Sequence, residues 1–297
     1  MQKYNLNFAD GKEFVHRLEI FSQMVKTIEE HNASGQSWQM GLNQFSHLTA
    51  SEWRDAVRLS TRPPQLRRSP AAKIHGEPTV ANPASVNWVT AGAVTPVKNQ
   101  GQCGSCWSFS TTGSMEGAYF LKQGNLVSFS EQELVSCDTT DQGCNGGWMD
   151  SAFDFIKSNG GITTEASYPY TSGAGVTGSC KGTGNSVVNS APTGFTDVQA
   201  GSVSALESAV AQQPVSIAIE ADQASFQSYK SGVLTAKCGQ NLDHGVLAVG
   251  YGTLNGVDYW QVKNSWGASW GLNGYILIAK SSANLCGVLS AASYPNM

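Results

Sequence analysis

The cysteine content is the feature that most restricts what this chain can fold into. Seven cysteines occur in 297 residues, at positions 103, 106, 137, 144, 180, 238 and 286. An odd number in a chain that carries disulfides leaves a thiol to be explained. Only Cys103 and Cys106 form a CxxC pair. A zinc site built from two such pairs is therefore not expected, and we predict no metal or other cofactor.

Composition divides the chain near residue 81, and we call residues 1–81 the leader and residues 82–297 the body. Residues 1–80 hold ten Lys/Arg and eight Asp/Glu, a balance of +2. Residues 81–297 hold eight Lys, no Arg and fourteen Asp/Glu, a balance of −6. The larger part has no clustered basic face, so nucleic-acid binding is not expected. The charge difference allows weak attraction between leader and body, although simple drift of surface charge explains it equally well.

The leader begins with a helix signal. Asp10 can cap the helix, and Glu13 follows three residues later. Five apolar residues then recur at steps of four and three, which predicts one apolar helical face: Phe14, Leu18, Phe21, Val25 and Ile28. A short strand is predicted within residues 38–45 and a second helix from Thr49 or Ser51 to about Leu59. Residues 60–82 contain four of the ten prolines, which predicts an extended linker open to proteases.

The body changes its pattern along its length. Helices are predicted over residues 106–122, from about 131, over 149–158 and over 203–211. Short β-rich runs follow at 215–219, 245–250, 259–263 and 275–279. Helices first and strands later indicate an α+β body in two halves. No stretch of about 18 apolar residues occurs, so no membrane span is expected.

Cys106 is the candidate nucleophile. It opens a predicted helix, where the dipole and the unsatisfied N–H groups stabilise a thiolate. Gly101 and Gly104 on its N-terminal side would let a substrate backbone approach closely. A buried or disulfide-bonded cysteine is the simpler interpretation of any single cysteine.

A second segment favours the catalytic interpretation. His244 precedes a predicted strand, and Asn264 follows the next one, twenty residues later. Adjacent strands could bring these ends together, so that Asn264 accepts the imidazole N–H and Trp266 shields that bond. Cys106 lies 138 residues before His244 and 158 before Asn264. A nucleophilic cysteine with a downstream His and Asn is typical of cysteine peptidases.

The ordered motifs resemble a zymogen of the papain family of cysteine proteases, nearest to its cathepsin L branch. The leader matches at Glu13, Arg17, Phe21, Ile28 and Asn32, and again in GLNQF at 41–45. The body matches in PVKNQ at 96–100, in GQCGSCW at 101–107, in GCNGG at 143–147 and in NSWG at 264–267. The resemblance implies a two-lobed fold, with a helical left lobe over about 90–190 and a β-barrel-like right lobe over about 191–297. It also implies an inhibitory helical prodomain in the leader.

The resemblance assigns a role to each matched residue. Cys106 and His244 would form a thiolate–imidazolium pair, Asn264 would orient the ring, and Gln100 would donate to the oxyanion. The reaction would be hydrolysis of protein and peptide substrates through a thioester acyl-enzyme. The matched substrate-binding residues are Gly146, Gly147, Trp148, Met149, Ala218, Leu242, Gly245, Trp266 and Ala291. The specificity pocket carries no charge, which predicts an apolar or aromatic residue two positions before the scissile bond.

The family pattern also accounts for the remaining cysteines. It implies the bridges Cys103–Cys144, Cys137–Cys180 and Cys238–Cys286, which leave Cys106 outside a bridge. Three bridges require an oxidising compartment, so we expect the secretory pathway, with a lysosome, another acidic vacuole or secretion as the destination. The expected partners are the protein's own propeptide and cystatin-like inhibitors, and the expected state is a monomer.

Two leader positions depart from the family pattern. Met24 stands where Asn is usual, and His47 stands where an Asp is usual. His47 would gain charge below about pH 6.5 and make the leader pH-sensitive, or it is an exposed residue without a role. Asn32 begins the one N-glycosylation sequon but also matches a propeptide motif position.

Three alternative functions fit the sequence less well. A catalytically dead paralogue would have lost one of the four catalytic residues, and all four are present. Another Cys–His enzyme, such as a transglutaminase or an acyltransferase, would not explain the leader motifs. An exopeptidase would need a loop that blocks one end of the cleft, and no His-His insertion follows Cys144.

Overall fold

The computed structural model describes residues 4, 6–59, 73–182 and 184–297. Seven α-helices are described: α1 Gly11–Ala33, α2 Ala50–Val57, α3 Cys106–Gln123, α4 Glu131–Cys137, α5 Met149–Ser158, α6 Val203–Gln212 and α7 Ala224–Gln227. Ten strands are described: β1 Trp38–Met40, β2 Lys73–His75, β3 Val86–Asn87, β4 Gly194–Val198, β5 Val215–Ile219, β6 Tyr229–Leu234, β7 His244–Leu254, β8 Val257–Lys263, β9 Tyr275–Ala279 and β10 Ala292–Asn296. Most of the predicted linker, residues 60–72, lies outside the described residues.

The predicted leader helix is confirmed as α1, and its amino end is capped as expected. The Asp10 carboxylate accepts the N–H groups of Lys12 and Glu13. The predicted apolar face is only partly buried. Ile28 is buried, whereas Phe14 is 44% exposed and Leu18 is 43% exposed. The apolar spacing therefore indicated the helix correctly but not how much of that face would be covered.

Side-chain contacts tie α1 to the rest of the leader. Arg17 lies 3.7 Å from Glu13, one turn earlier on α1, and it also reaches Glu52 on α2 at 2.8 Å. The Asn32 side chain donates to the carbonyl of Met40 at 3.0 Å and accepts its N–H at 2.9 Å. Because both amide atoms of Asn32 are engaged in fixing β1, a glycan on this nitrogen would disrupt that joint.

The second leader helix, α2, has a complete capping box. The Thr49 hydroxyl accepts the N–H of Glu52, and the Glu52 carboxylate accepts the N–H of Thr49. The helix ends at Arg58, whose φ of 39° lies in the left-handed region. A non-glycine residue rarely adopts that conformation, so the chain turns sharply where α2 ends.

The first half of the body packs around α3. This helix is buried from Cys106 to Tyr119 except at Phe109. It carries two glycines where a neighbouring strand comes too close for a side chain. A Cβ at Gly113 would lie 2.8 Å from Leu247, and one at Gly117 would lie 2.5 Å from Pro214. The close approach of β7 to α3 therefore depends on Gly113, and the close approach of Pro214, the residue before β5, depends on Gly117.

The second half of the body is a sheet with the strand order β1-β6-β9-β8-β7-β5-β10-β4-β2, and β3 pairs with β7. The leader supplies both outer strands, since β1 pairs with β6 and β2 pairs in parallel with β4. The predicted strands 215–219 and 275–279 are confirmed, whereas 245–250 and 259–263 extend to His244–Leu254 and Val257–Lys263. Strands β2, β3, β4, β6 and β10 were not predicted. Within the described ranges, no helix is both long and apolar enough to cross a membrane.

Candidate active site

Cys106 is the first residue of α3 and is 2% exposed. The three implied bridges, Cys103–Cys144, Cys137–Cys180 and Cys238–Cys286, are all present, and Cys106 is not part of one. The Cys103–Cys144 bridge, with the bond from the Gly104 N–H to the Cys144 carbonyl at 2.9 Å, fixes the loop before the helix.

The start of β7 lies against the first turn of α3. A Cβ at Gly245 would lie 3.3 Å from both the amide nitrogen and the Cα of Trp107. One turn further along α3, the Ser110 hydroxyl donates to the carbonyl of Val246 at 2.7 Å. These contacts bring His244, the first residue of β7, next to the helix turn that begins with Cys106.

His244 and Asn264 are joined as the sequence predicts. The ring nitrogen Nε2 lies 2.7 Å from Oδ1 of Asn264. That oxygen also accepts the N–H of Ser265 at 2.8 Å, which identifies it as the acceptor and gives the proton to Nε2. The Trp266 ring stacks on His244 with centroids 4.9 Å apart.

The environment of His244 favours a neutral ring in this state. Burial lowers the pKa of His244 to about 4, and the hydrogen bond to Asn264 opposes that shift only in part. The other ring nitrogen, Nδ1, is buried and forms no hydrogen bond with any residue that the structure describes. The proton on Nε2 leaves Nδ1 as the nitrogen able to accept a proton.

Gln100 is completely buried beside the same helix turn. Its Nε2 donates to the carbonyls of Cys103 at 3.0 Å and Val57 at 3.2 Å. Its Oε1 accepts the hydroxyl of Ser265 at 2.6 Å, which fixes the amide orientation. The predicted oxyanion donor therefore lies under a main-chain carbonyl of the leader.

The leader covers the site through aromatic contacts and its main chain. Phe45 and Trp53 make edge-to-face contacts with Trp266, with ring centroids 6.1 and 5.8 Å apart. Gln44 donates to the Trp266 carbonyl at 2.8 Å. The carbonyl of Arg58 would lie 3.2 Å from a Cβ at Gly104. The leader thus passes over the segment that precedes Cys106.

The residues predicted to form the specificity pocket come together. Met149 and Ala218 belong to one buried apolar cluster, and Trp148, Leu242 and Ala291 pack against it. Gly245 joins them, since a Cβ there would lie 3.2 Å from the sulfur of Met149. The two cleft glycines differ in what they require. Gly146 has a φ of 111°, whereas a Cβ at Gly147 would lie 2.6 Å from the Trp107 ring.

Met24 and His47, the two departures from the family pattern, have defined surroundings. The Ser228 hydroxyl of the body donates to the sulfur of Met24 at 3.1 Å. His47 is half-buried beside Phe8, with ring centroids 6.1 Å apart. Burial and the nearby Arg17 charge lower the pKa of His47, so its gain of charge lies further into acid than that of a free histidine.

Several residues near the site were missed by sequence reasoning. Ser265 orients Gln100, and the Tyr170 hydroxyl contacts the loop that precedes Cys106. A buried charge network lies behind the strand ends, where Lys98 reaches Glu116 at 3.1 Å and Glu131 at 2.6 Å. Ser265 and Lys98 lie within matched motifs and could have been considered, but Tyr170, Glu116 and Glu131 carry no recognisable spacing. No group of three or more His, Cys, Asp or Glu in the described ranges is arranged to hold a metal ion.

Comparisons with known proteins agree with this geometry. Residues 82–296 match the papain family cysteine protease profile, and residues 1–53 match the cathepsin propeptide inhibitor domain (I29). The chain is 46% identical over 303 residues to digestive cysteine proteinase 2 of Homarus americanus, covering 99% of this chain and 92% of that protein. It is 44% identical over 310 residues to cathepsin L of Sarcophaga peregrina, covering 99% and 90%. Digestive procathepsin L 3 from the larval midgut of Tenebrio molitor superposes with a TM-score of 0.89 at 38% identity, covering 100% of this chain and 96% of that one.

The fold, the site and these matches together define a class: the chain belongs to the papain family of cysteine proteases. Within that family it is a cathepsin L-like proenzyme, a cysteine endopeptidase that carries its own propeptide inhibitor domain.

Proposed function

We propose that this zymogen, once its leader is removed, hydrolyses peptide bonds with Cys106 as nucleophile and His244 as general acid and base. Nδ1 of His244 accepts the thiol proton, the resulting Cys106 thiolate adds to the carbonyl carbon, and the carbonyl π pair moves to oxygen. His244 protonates the leaving amine as the C–N bond breaks, which leaves a thioester. Water, deprotonated by His244, then releases the acid and restores the thiolate.

The observation that carries this proposal is the position of His244 between the first turn of α3 and Asn264. The bond from Nε2 to Asn264 at 2.7 Å leaves Nδ1 for the thiol. The buried Trp266 ring over the imidazole excludes water from that bond.

Gln100 has the role of oxyanion donor in this proposal, together with the main-chain N–H of Cys106. The carbonyl of Val57 already lies 3.2 Å from Nε2 of Gln100. A peptide oxygen can therefore reach this donor, and a developing oxyanion would be stabilised there more strongly than a neutral carbonyl.

Substrate selection follows from the uncharged cluster around Met149 and Ala218. An apolar or aromatic side chain two positions before the scissile bond would bury its surface there, and Gly146 and Gly147 would bind the substrate backbone. A peptide-library scan checks this preference. Selection of Arg at that position would contradict it.

We also propose that residues 1–81 are the removable propeptide and residues 82–297 the peptidase, with left and right lobes mainly over 90–190 and 191–297. Glu77 is held by Ser202 and Ser204, and Asn82 donates to the Ser204 carbonyl at 2.9 Å. Between these anchors Val80 is 76% exposed. Cleavage after Ala81 would present Val80 to the apolar pocket.

The cellular setting is proposed from the three disulfides, which need an oxidising compartment. We infer passage through the secretory pathway to a lysosome, another acidic vacuole or the cell exterior. We also infer a monomeric enzyme that acts on protein and peptide substrates and is a target for cystatin-like inhibitors.

Labelling with an irreversible thiol-directed epoxide tests the proposal. We expect mass spectrometry to find the adduct on Cys106, and only after leader removal. Labelling at another residue, or a processed chain that neither reacts nor cleaves peptides, would sink the assignment.

A further inference from the structure

The Tyr170 hydroxyl contacts both ends of the segment 100–105, which joins Gln100 to Cys106. It donates to the main-chain carbonyl of Gln100 at 2.8 Å, and it lies 2.8 Å from the hydroxyl of Ser105. A phenol has a single O–H to donate, and Tyr170 donates it to the Gln100 carbonyl. The Ser105 hydroxyl is therefore the donor in the second bond. One side chain thus connects the residue that carries the amide donor with the residue before the nucleophile.

The Ser105 side chain makes this contact instead of capping α3. Serine is a preferred N-cap residue, and its hydroxyl usually accepts an N–H of the first helical turn. Ser105 occupies the N-cap position of α3, yet its side chain makes no capping bond. Because the hydroxyl is turned toward Tyr170, it does not compete for the N–H groups of the turn that begins with Cys106.

Tyr170 is itself held firmly. Its ring makes an edge-to-face contact with Phe109 of α3, with centroids 5.0 Å apart, and its N–H donates to Glu165 at 2.9 Å. The N–H groups of Thr171 and Ser172 both donate to Oε1 of Gln132, at 2.7 and 2.9 Å. Burial raises the pKa of Tyr170, so its hydroxyl remains a neutral donor wherever the enzyme works.

We propose that Tyr170 is a positioning residue for oxyanion stabilisation, because its hydroxyl fixes the spacing between Gln100 and the first turn of α3. The inference rests on the proposed function, in which Gln100 and the N–H of Cys106 bind the oxyanion together. Donors that are already in position stabilise the developing charge without reorganisation. Loss of the two hydrogen bonds of the Tyr170 hydroxyl would therefore destabilise the transition state more than it weakens substrate binding.

Tyr170→Phe in the processed enzyme tests this directly. We expect kcat to fall about five- to tenfold, the order of effect of one lost hydrogen bond, with KM within about twofold. A peptide aldehyde should lose affinity by a similar factor, because thiolate addition moves the carbonyl π pair to an oxygen in the same position. Alkylation of Cys106 by iodoacetamide should keep its rate and pH profile, since iodide leaves and no oxyanion forms.

Tyr119→Phe is the matched control. Tyr119 lies on α3, is buried, and donates to the Val188 carbonyl at 3.2 Å, away from the segment 100–105. It should change neither kcat nor aldehyde affinity. Ser105→Ala removes the hydrogen bond between Ser105 and Tyr170 and should also lower kcat. The double variant should lose less than the product of the two single losses.

Three results would overturn the inference: an unchanged kcat and aldehyde affinity in Tyr170→Phe, an alkylation rate that falls as far as kcat, or a rise in KM alone. If Tyr170→Phe does not fold, as judged by zymogen unfolding temperature, Ser105→Ala provides the same readouts. A wild-type processed enzyme without peptidase activity would instead refute the proposed function, so the two failures are distinguishable.

Discussion

Helices α1 and α3 are held in opposite ways, and the difference separates the removable part of the molecule from the permanent one. Over 23 residues α1 buries only Ile28, whereas α3 over 18 residues is buried almost continuously up to Tyr119. The leader attaches to the body through a few buried side chains, Trp38, Trp53 and Val57, and through the pairing of β1 with β6. The body is fixed by its core and its three bridges.

This contrast suits a zymogen. A leader with a large shared core could not leave without unfolding its partner, since burial contributes about 25 cal/mol for each Å² of apolar surface. A leader held at separate points can dissociate when a few of them fail. Substitutions in the body should therefore affect chemistry, and substitutions in the leader should affect release.

Cys106→Ala should produce the largest effect. We expect kcat/KM of the processed enzyme to fall by about 10⁵-fold or more, because no other nucleophile is in position. The leader should stay docked, since the substitution leaves the packing of Trp53 on Trp266 and the pairing of β1 with β6 unchanged. A fluorogenic peptide assay and the zymogen unfolding temperature measure the two parts. Leu121→Ala, an exposed change on the same helix, should leave both unchanged, and appreciable turnover by Cys106→Ala would contradict the prediction.

Gln100→Ala should come next. Removal of one oxyanion donor costs about 10²- to 10³-fold in kcat, with little change in KM. Among the described leader residues, Val57 is the one that loses a bond to the Gln100 side chain, so release of the leader should change much less than catalysis. Gln102→Ala, an exposed change two residues away, is the matched control for steady-state kinetics. A Gln100→Ala variant that released its leader faster but kept a normal kcat would contradict the assignment of Gln100 to catalysis.

Trp53→Ala tests the leader. Trp53 is completely buried and packs against Trp266. Its truncation should cost about 3–5 kcal/mol of docking, an effect of order 10²- to 10⁴-fold on exposure of the site. The measurement is the rate at which a thiol reagent labels Cys106 in the uncut zymogen. Phe14→Ala, at an exposed position on α1, should change that rate little, and equal effects of the two substitutions would remove the basis for separate attachment points.

Motifs and their spacing single out Cys106, His244 and Asn264, and the family resemblance adds Gln100 and the pocket residues. The structure brings these residues together, and their roles stay predictions. The geometry that surrounds them could not be predicted. The carbonyl of Val57 on Gln100 depends on the path of a leader segment whose sequence carries no signal for its direction.

The same limit explains the errors in the fold. The apolar spacing of α1 is real, but whether Phe14 is covered depends on what packs there, which periodicity does not encode. Strand β10 was missed because Ala292, Ser293 and Pro295 do not form an alternating pattern. It becomes a strand through pairing with β4 and β5. Tyr170 acts through a hydroxyl in a loop, where spacing indicates nothing.

His47→Gln should have the smallest effect of the four substitutions, and it tests how docking of the leader depends on pH. Burial and the Arg17 charge lower the pKa of His47 in the docked leader, with Glu52 and Glu13 opposing. The unfolded or released leader then binds more protons below pH 6.5, so docking weakens as the pH falls from 6.5 toward the lower pKa. The Glu52 carboxylate also makes docking weaker as the pH falls, but at a lower pH. Burial would raise the pKa of Glu52, but the hydrogen bonds from Thr49 and Arg17 lower that pKa to about 2. The stabilisation given by the ionised carboxylate is therefore lost between about pH 4.5 and 2.

The two titrations should be separable in the pH profile of zymogen activation. His47→Gln should remove the part of the profile just below pH 6.5, with a change in rate of less than about tenfold, and leave the part below pH 4.5 in place. His16→Gln, an exposed histidine on α1, is the control and should not alter the profile. If His47→Gln and the wild type activate with the same pH dependence, His47 has no role in release. The acid response of the leader would then depend on the Arg17–Glu52 pair, because that is the charged contact joining its two helices.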